Sequence, residues 1–467
     1  GLAAAEYIQK IDPLDFLSLT EKYFSLKNLG REAQAKEVYD EALRLSRLDS
    51  DNYLELAIRY ARCGQYAHAV RILEILTAES NDVSPLVYYY LAWYDHRLGN
   101  EERAAAELAK GSALPTKYVF PNRLETIPVL DWALSVNPRD GHAYYFQGDL
   151  LRESFRAEEA LAAWKKSVEL DPANVVAWRN IGQALAEKGE FAQAQKAYQA
   201  AVKADPTAAM AVQELDEVNE KLGMERRERI AMLEQNMETV GGRDPLLKRL
   251  ISLYVQTGRY DDALTWLSDH HFHSWEGRYD IHQYWVESHL SKGDQLMAQR
   301  NFQKALEQYQ LALTYPFNLE VASQPRAVNA RNNYKLAAAF EALGKKSEAR
   351  KTFELVLADQ KKMRGDNADQ YFRGKALEKL GRNQEARSVY EEMLATLDRM
   401  KREEEEREED EPVFDPNRNP EAVWHFKRAL ALEGLGRTAE ADAERAKATG
   451  EDPIVALRAF SPPRAGW

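Results

Sequence analysis

The sequence predicts an all-α fold, a right-handed solenoid of about eleven helix pairs, and three observations carry that prediction. The first is a 34-residue period: Gly148, Ala160, Trp164 and Pro172 recur as Gly182, Ala194, Tyr198 and Pro206. A small residue at two fixed sites, an aromatic four after the second and a closing Pro describe one helix–turn–helix unit. The second is a set of turn glycines, Gly30, Gly64, Gly99, Gly258, Gly344, Gly381 and Gly436, each between two helix-length amphipathic segments. The third is composition. With 467 residues, 45% hydrophobic and 30% charged, the chain is too long for one core and ordinary for a helical array. Helices of 12–15 residues are marginal alone, so each pair has to bury its apolar stripe on its neighbours.

The elements follow in order. Asp12-Pro13 reads as a helix start. The first unit runs from Phe16 to Asp49, with Tyr23, Leu26, Ala35 and Tyr39 in place, and the second from Ser50 to Val83. A third begins near Pro85. The period then fails between Pro115 and Asp140, where one helix, Arg123 to Val136, forms an insertion that bends or re-phases the array. The best pair of units follows, 141 to 207. Beyond Pro206, residues Ala208–Leu222 and Met224–Val240 read as two helices around Gly223, and a cleaner unit starts at Asp244 with an irregular exit, Asp269 to Asp280. Further units fall near Val286–Leu319, Ala330–Met363, Asn367–Met400 and Ala422–Val455. In the last, Arg445 takes the aromatic position, as suits a terminal helix with nothing stacked beyond it.

This pattern resembles the tetratricopeptide (TPR) repeat, and 141–207 fits it well. The packing reason is plain: Gly148 and Gly182 let the first helix of a unit approach the second, and the aromatic fills the wedge. The expected blocks are 1–118, an N-terminal TPR block; 119–140, an inserted helix and loop; 141–277, a central block with the exit loop 269–280; 286–400, a third block; 401–420, an acidic helix end or linker; and 421–467, a capping repeat and tail.

Composition excludes several function classes. A formal charge of −12 and a pI near 5.5 lack the basic face that general nucleic-acid binding needs. Mean hydropathy of −0.59 and no apolar run near 18 residues predict no membrane span. The single cysteine, Cys63, allows no internal disulfide and reads as a half-buried inert thiol. No signal peptide is visible, which with the lone cysteine favours the cytoplasm.

Two groups of residues are candidates for binding. On the first helix of each unit, one stripe lines the concave groove: Tyr89, Trp93 and His96 in the third unit, Tyr145, Asp149 and Arg152 in the fourth, Arg179 and Gln183 in the fifth. An exposed aromatic stripe there would contact a peptide or stack a sugar. Equally, the inserted helix 123–136 would cover Tyr89 and Trp93. The Lys and Asn pattern of TPR clamps for chaperone C-termini is absent at these positions. The second group is the loop His270-His271-Phe272-His273-Ser274-Trp275-Glu276-Gly277-Arg278, followed by His282 and His289. Its candidate ligand residues are His271, His273, Trp275, Glu276, Arg278 and His282. No metal is expected there: there is no HExxH, the spacing lacks tetrahedral logic, and His271 and His273 would need an extended segment to converge. A polar loop ordered by Trp275 packing and a ligand or partner contact are the two other readings. No catalytic residue and no cofactor is expected, since no nucleophile elbow, phosphate loop or dinucleotide fingerprint occurs.

Beyond the repeat, FPNRLE (Phe120–Glu125), VLDWAL (Val129–Leu134), FHSWEG (Phe272–Gly277) and ALTYPFNL (Ala312–Leu319) resemble the TPR-rich C-terminal region of large bacterial proteins in which a β-sandwich domain similar to sugar mutarotases precedes the array. The resemblance implies an accessory array to a carbohydrate-handling domain and carries over no catalytic residue. Two functions follow as expectations. One is a non-catalytic scaffold binding a protein or peptide partner, or the cognate β-sandwich, through the concave face. The other is an accessory module of a carbohydrate-active protein, with the loop 270–285 contributing to a sugar site.

Overall fold

The computed structural model describes residues 1–273, 280–321, 329–358, 365, 367–405, 420–452 and 455–460, and among them every regular element is helical. The chain divides into two compact units, Gly1–Met224 and Glu225–Trp467.

The first unit opens with α1 (Leu2–Ile11), which packs on the hairpin of α2 (Phe16–Asn28) and α3 (Glu32–Ser46). Then come α4 (Ser50–Arg62) with α5 (Tyr66–Glu79), and α6 (Pro85–Arg97) with α7 (Glu101–Ala113). The inserted α8 (Thr126–Val136) packs between α6 and the next first helix. Last are α9 (Gly141–Glu153) with α10 (Ala157–Leu170), α11 (Val175–Glu187) with α12 (Phe191–Ala204), and α13 (Ala209–Lys221). The second unit holds α14 (Arg226–Gln235) and α15 (Met237–Gly241), then five hairpins. These are α16 (Asp244–Gln256) with α17 (Tyr260–Asp269), α18 (Asp280–Ala298) with α19 (Phe302–Leu311), α20 (Ala330–Ala342) with α21 (Lys346–Ala358), α22 (Asp369–Lys379) with α23 (Asn383–Glu405), and α24 (Pro420–Gly434) with α25 (Thr438–Glu451). A short α26 (Val455–Ala459) returns onto α24.

The 34-residue period has a direct packing cause. A Cβ on Gly182 would lie 2.6 Å from Cε1 of Tyr198, and Cβ atoms on Gly148, Gly293 and Gly374 would strike Trp164, Tyr309 and Tyr390 in the same way. In these four hairpins the ring of the second helix thus lies against the backbone of its own first helix, at a distance that only glycine permits. Starts and turns repeat too. Asp15, Asp49, Asp140 and Asn174 each accept a backbone N–H at the opening of a first helix, which satisfies donors the helix cannot. Between first and second helix the chain turns through the left-handed region, at Gly64 (φ +73°) and Gly189 (φ +77°) among others. Phe155 and Arg300 hold that conformation without being glycine (φ +59° and +60°).

Several expectations need correction. The residues before Asp12 form α1, which buries Ala5. The inserted helix begins at Thr126, after a turn at 124–125, rather than at Arg123. The helix anticipated over Met224–Val240 is two, because Asn236 turns its Nδ2 to the Met232 carbonyl (2.8 Å) and competes with the helical ladder. The unit expected near Val286 begins its helix at Asp280. Cys63 is exposed at the C-terminal end of α4, not half-buried. The terminal hairpin is not bare either: α26 buries Val455 and Ala459 against it. At the aromatic position of that hairpin, Arg445 pairs with Glu433 and Asp442.

Candidate functional site

In the first unit the stripe proposed for the groove splits into buried and surface parts. Tyr89 is fully buried and donates to Asp140 Oδ2 (2.8 Å), so it holds α6 to the cap of α9 and has no surface to offer. Tyr145 is likewise buried, its ring tilted 51° to that of Phe146 at a centroid distance of 5.3 Å. Tyr89 packs between Gly111 of α7 and Phe146 of α9, which leaves it no solvent-facing side. Trp93 and His96 sit half-exposed against Trp132 of α8, with ring centroids 5.6 and 5.0 Å away, and the Arg97 guanidinium lies 5.4 Å from the Trp93 ring centroid. The inserted helix therefore covers the aromatic stripe.

The polar part of the stripe does reach the surface, as a ladder between successive first helices. Arg152 on α9 pairs with Glu187 on α11 (2.7 Å), and Arg179 on α11 grips Glu214 on α13 with two bonds (2.7 and 2.6 Å). Gln183 is exposed and donates to Glu187 (3.3 Å). Beneath the ladder, Asp149 accepts from Trp164 Nε1 (2.9 Å) and Asn180 Nδ2 (3.0 Å). Burial pushes its carboxyl up to about 7, against the pull of the hydrogen bonds from Trp164, Tyr145 and Asn180. Asp149 is therefore a floor residue rather than a contact residue.

The second unit carries a first-helix face that the sequence did not reveal. Arg331 on α20 holds Glu287 on α18 through two bonds (2.9 and 2.8 Å), and its backbone N–H donates to Asp369 on α22 (3.0 Å). Lys335 pairs with Asp294 (2.6 Å) one turn along. Burial alone would raise the Glu287 carboxyl, but the Arg331 guanidinium outweighs it and holds the group below the usual range. On this face lies Phe460. The Arg331 guanidinium stands 4.5 Å from its ring centroid, Phe372 of α22 lies 5.7 Å away and Phe426 of α24 6.2 Å. One ring thus touches the first helices of three consecutive hairpins. No sequence signal marked Phe460, because its partners lie far away along the chain.

Of the histidine loop, Trp275, Glu276 and Arg278 lie outside the described residues. His282 stacks on Tyr315 (centroids 4.1 Å) and its Nε2 is 2.8 Å from the Thr314 carbonyl; burial lowers its pKa. The chain leaves α17 in an extended conformation at His270. The Phe272 N–H donates to the Asn318 carbonyl (2.8 Å), and Asn318 Nδ2 donates back to the carbonyls of Leu267 and His270. Asp244 at the start of α16 holds both His270 Nε2 (2.8 Å) and the His273 N–H (2.7 Å). This extended run is what lets His271 and His273 converge, and they do so on Glu320, a residue that sequence spacing could not have nominated.

Three models, described as TPR repeat or tetratricopeptide repeat, match residues 141–189, 175–208 and 334–399. The fold is a TPR-type α-solenoid. Over 183 residues, 38% of this chain, the sequence is 25% identical to the human protein named Protein O-mannosyl-transferase TMTC1. The chain spans 18% of that relative's length. Among solved structures, MamA from Desulfovibrio magneticus RS-1 is 22% identical, with 42% of this chain and 97% of that one covered at a TM-score of 0.25. A TPR protein with an unusual peptide-binding site, YrrB, is 19% identical, with 46% and 98% covered at a TM-score of 0.21.

Proposed function

We propose that this TPR array is a non-catalytic scaffold that seats a short peptide segment of a protein partner on the first-helix face of its hairpins, with an aromatic side chain as anchor. The observation that supports it is the seat of Phe460: a guanidinium and two aromatic rings, from three successive first helices, around one phenylalanine. Such a seat recognises an aromatic side chain of any chain that brings one, since cation–π and edge contacts each contribute about 0.5–2 kcal/mol. The segment 455–460 then acts as an internal occupant that a partner displaces. In the first unit the ladder of Arg152, Arg179 and Gln183 offers the polar counterpart, a row of groups that can exchange Glu187 and Glu214 for a partner's carboxylates.

The test is a binding titration with a fluorescent peptide spanning residues 453–467. Phe460→Ala in the full chain empties the seat and should tighten binding of the wild-type peptide by about tenfold or more. Equal binding to the wild-type and Phe460→Ala chains would rule the seat out. A second reading, an accessory role in carbohydrate handling, draws on the name of the human relative and on Trp275, Glu276 and Arg278. It expects heat on titrating mannose or oligosaccharides into the chain, abolished by Trp275→Ala.

A further inference from the structure

His271, His273 and Glu320 each offer one donor atom, and the three atoms lie within 4.8 Å of one another. The Nε2 of His271 is 2.8 Å from Glu320 Oε1, and the Nδ1 of His273 is 3.8 Å from the same oxygen. A tetrahedral zinc ion with bonds of roughly 2.0–2.1 Å keeps its ligand atoms roughly 3.3–3.4 Å apart. The two observed separations bracket that spacing, so small side-chain rotations on an open surface bring all three atoms onto one ion. The side chains are exposed by 45%, 74% and 35% for His271, His273 and Glu320, which leaves them room to rotate.

The backbone around the trio is fixed from both sides. Residues 270–273 are bound to 318 and to Asp244 by the hydrogen bonds given above. Glu320 follows the short turn Phe317–Leu319 and takes the left-handed conformation, φ +49° and ψ +28°. That conformation closes the turn, with the Glu320 N–H donating to the Phe317 carbonyl (3.0 Å). Here it aims the carboxylate at two imidazoles that reach it from across the sequence, His271 at a separation of 49 residues.

We propose that His271, His273 and Glu320 form a binding site for a zinc-type divalent cation, with two imidazole nitrogens and one carboxylate as ligands and a fourth position open to water or to a partner's donor atom. Two imidazoles and a carboxylate suit zinc, and calcium and magnesium, which take oxygen ligands, are disfavoured. The ion ties the exit of α17 to the turn before α20, a clip between consecutive hairpins of the second unit.

The full chain, stripped with chelator, is titrated with zinc against a chromophoric competitor and with cobalt(II) by visible absorption. One ion per chain is expected, with the intense cobalt bands of a four- or five-coordinate site. Affinity should fall by more than tenfold in Glu320→Gln and in His273→Ala, while His425→Ala, which alters a separate histidine, leaves it unchanged. Saturating zinc should raise the melting temperature of the wild type and not of Glu320→Gln, since an ion that binds only the folded chain stabilises it. Circular dichroism confirms that each variant is folded. The absence of saturable binding, equal affinity in wild type and Glu320→Gln, or a weak octahedral cobalt spectrum would each overturn the site.

Discussion

Asp149 shows how a residue at a groove position can be taken over by the floor beneath it. Its carboxyl is raised to about 7 because burial disfavours the charge more than Trp164, Tyr145 and Asn180 favour it. The sign of the pH effect follows. From about pH 4, where an unfolded aspartate loses its proton, to about pH 7 the folded chain keeps a proton that the unfolded chain has released. The site's contribution therefore weakens as pH rises through that window and is least favourable above it. Asp149→Asn keeps an acceptor for Trp164 and removes the charge. Its stability relative to wild type should be similar near pH 4 and should improve toward pH 8, by at most about 1.4 kcal/mol per unit of pKa shift. Urea midpoints for both chains across that range provide the check, and parallel pH profiles would mean that the carboxyl is not perturbed.

At the scale of helices, α20 is the element on which the second unit's first-helix face depends. Arg331 alone joins α18 through Glu287, α22 through Asp369 and the C-terminal segment through Phe460. Removing one partner of a buried pair leaves an uncompensated charge and costs about 3–5 kcal/mol. Arg331→Ala should therefore lower the stability of the second unit by that order while leaving the first unit's hydrogen-exchange protection unchanged. Protection lost equally in both units would show that they do not unfold separately. The sequence could not point to α20, because Arg331 reads as one more charge on an amphipathic helix until its three partners are brought together. The same holds for α1 and α26. Each stands outside the 34-residue period, so only burial of Ala5, Val455 and Ala459 against a neighbouring helix reveals it.

For the molecule as a whole, what the sequence specifies well is the repeat, and the reason is local. The pairing of Gly148 with Trp164, Gly182 with Tyr198 and Gly374 with Tyr390 is written at fixed separations, so periodicity alone recovers the hairpins. What it specifies poorly is everything made by residues distant along the chain: Trp132 lying over Trp93, Glu320 meeting His271, and Phe460 resting on Arg331. The candidate sites are of this second kind, so the groove stripe was legible only as a list of positions, of which Tyr89 and Tyr145 turned out to be core. A photo-reactive phenylalanine analogue placed at position 460 of the full chain tests the central claim most directly, with cross-linked peptides identified by mass spectrometry. Cross-links to α20, α22 and α24 are the predicted result; cross-links confined to other helices, or none at all, would contradict it.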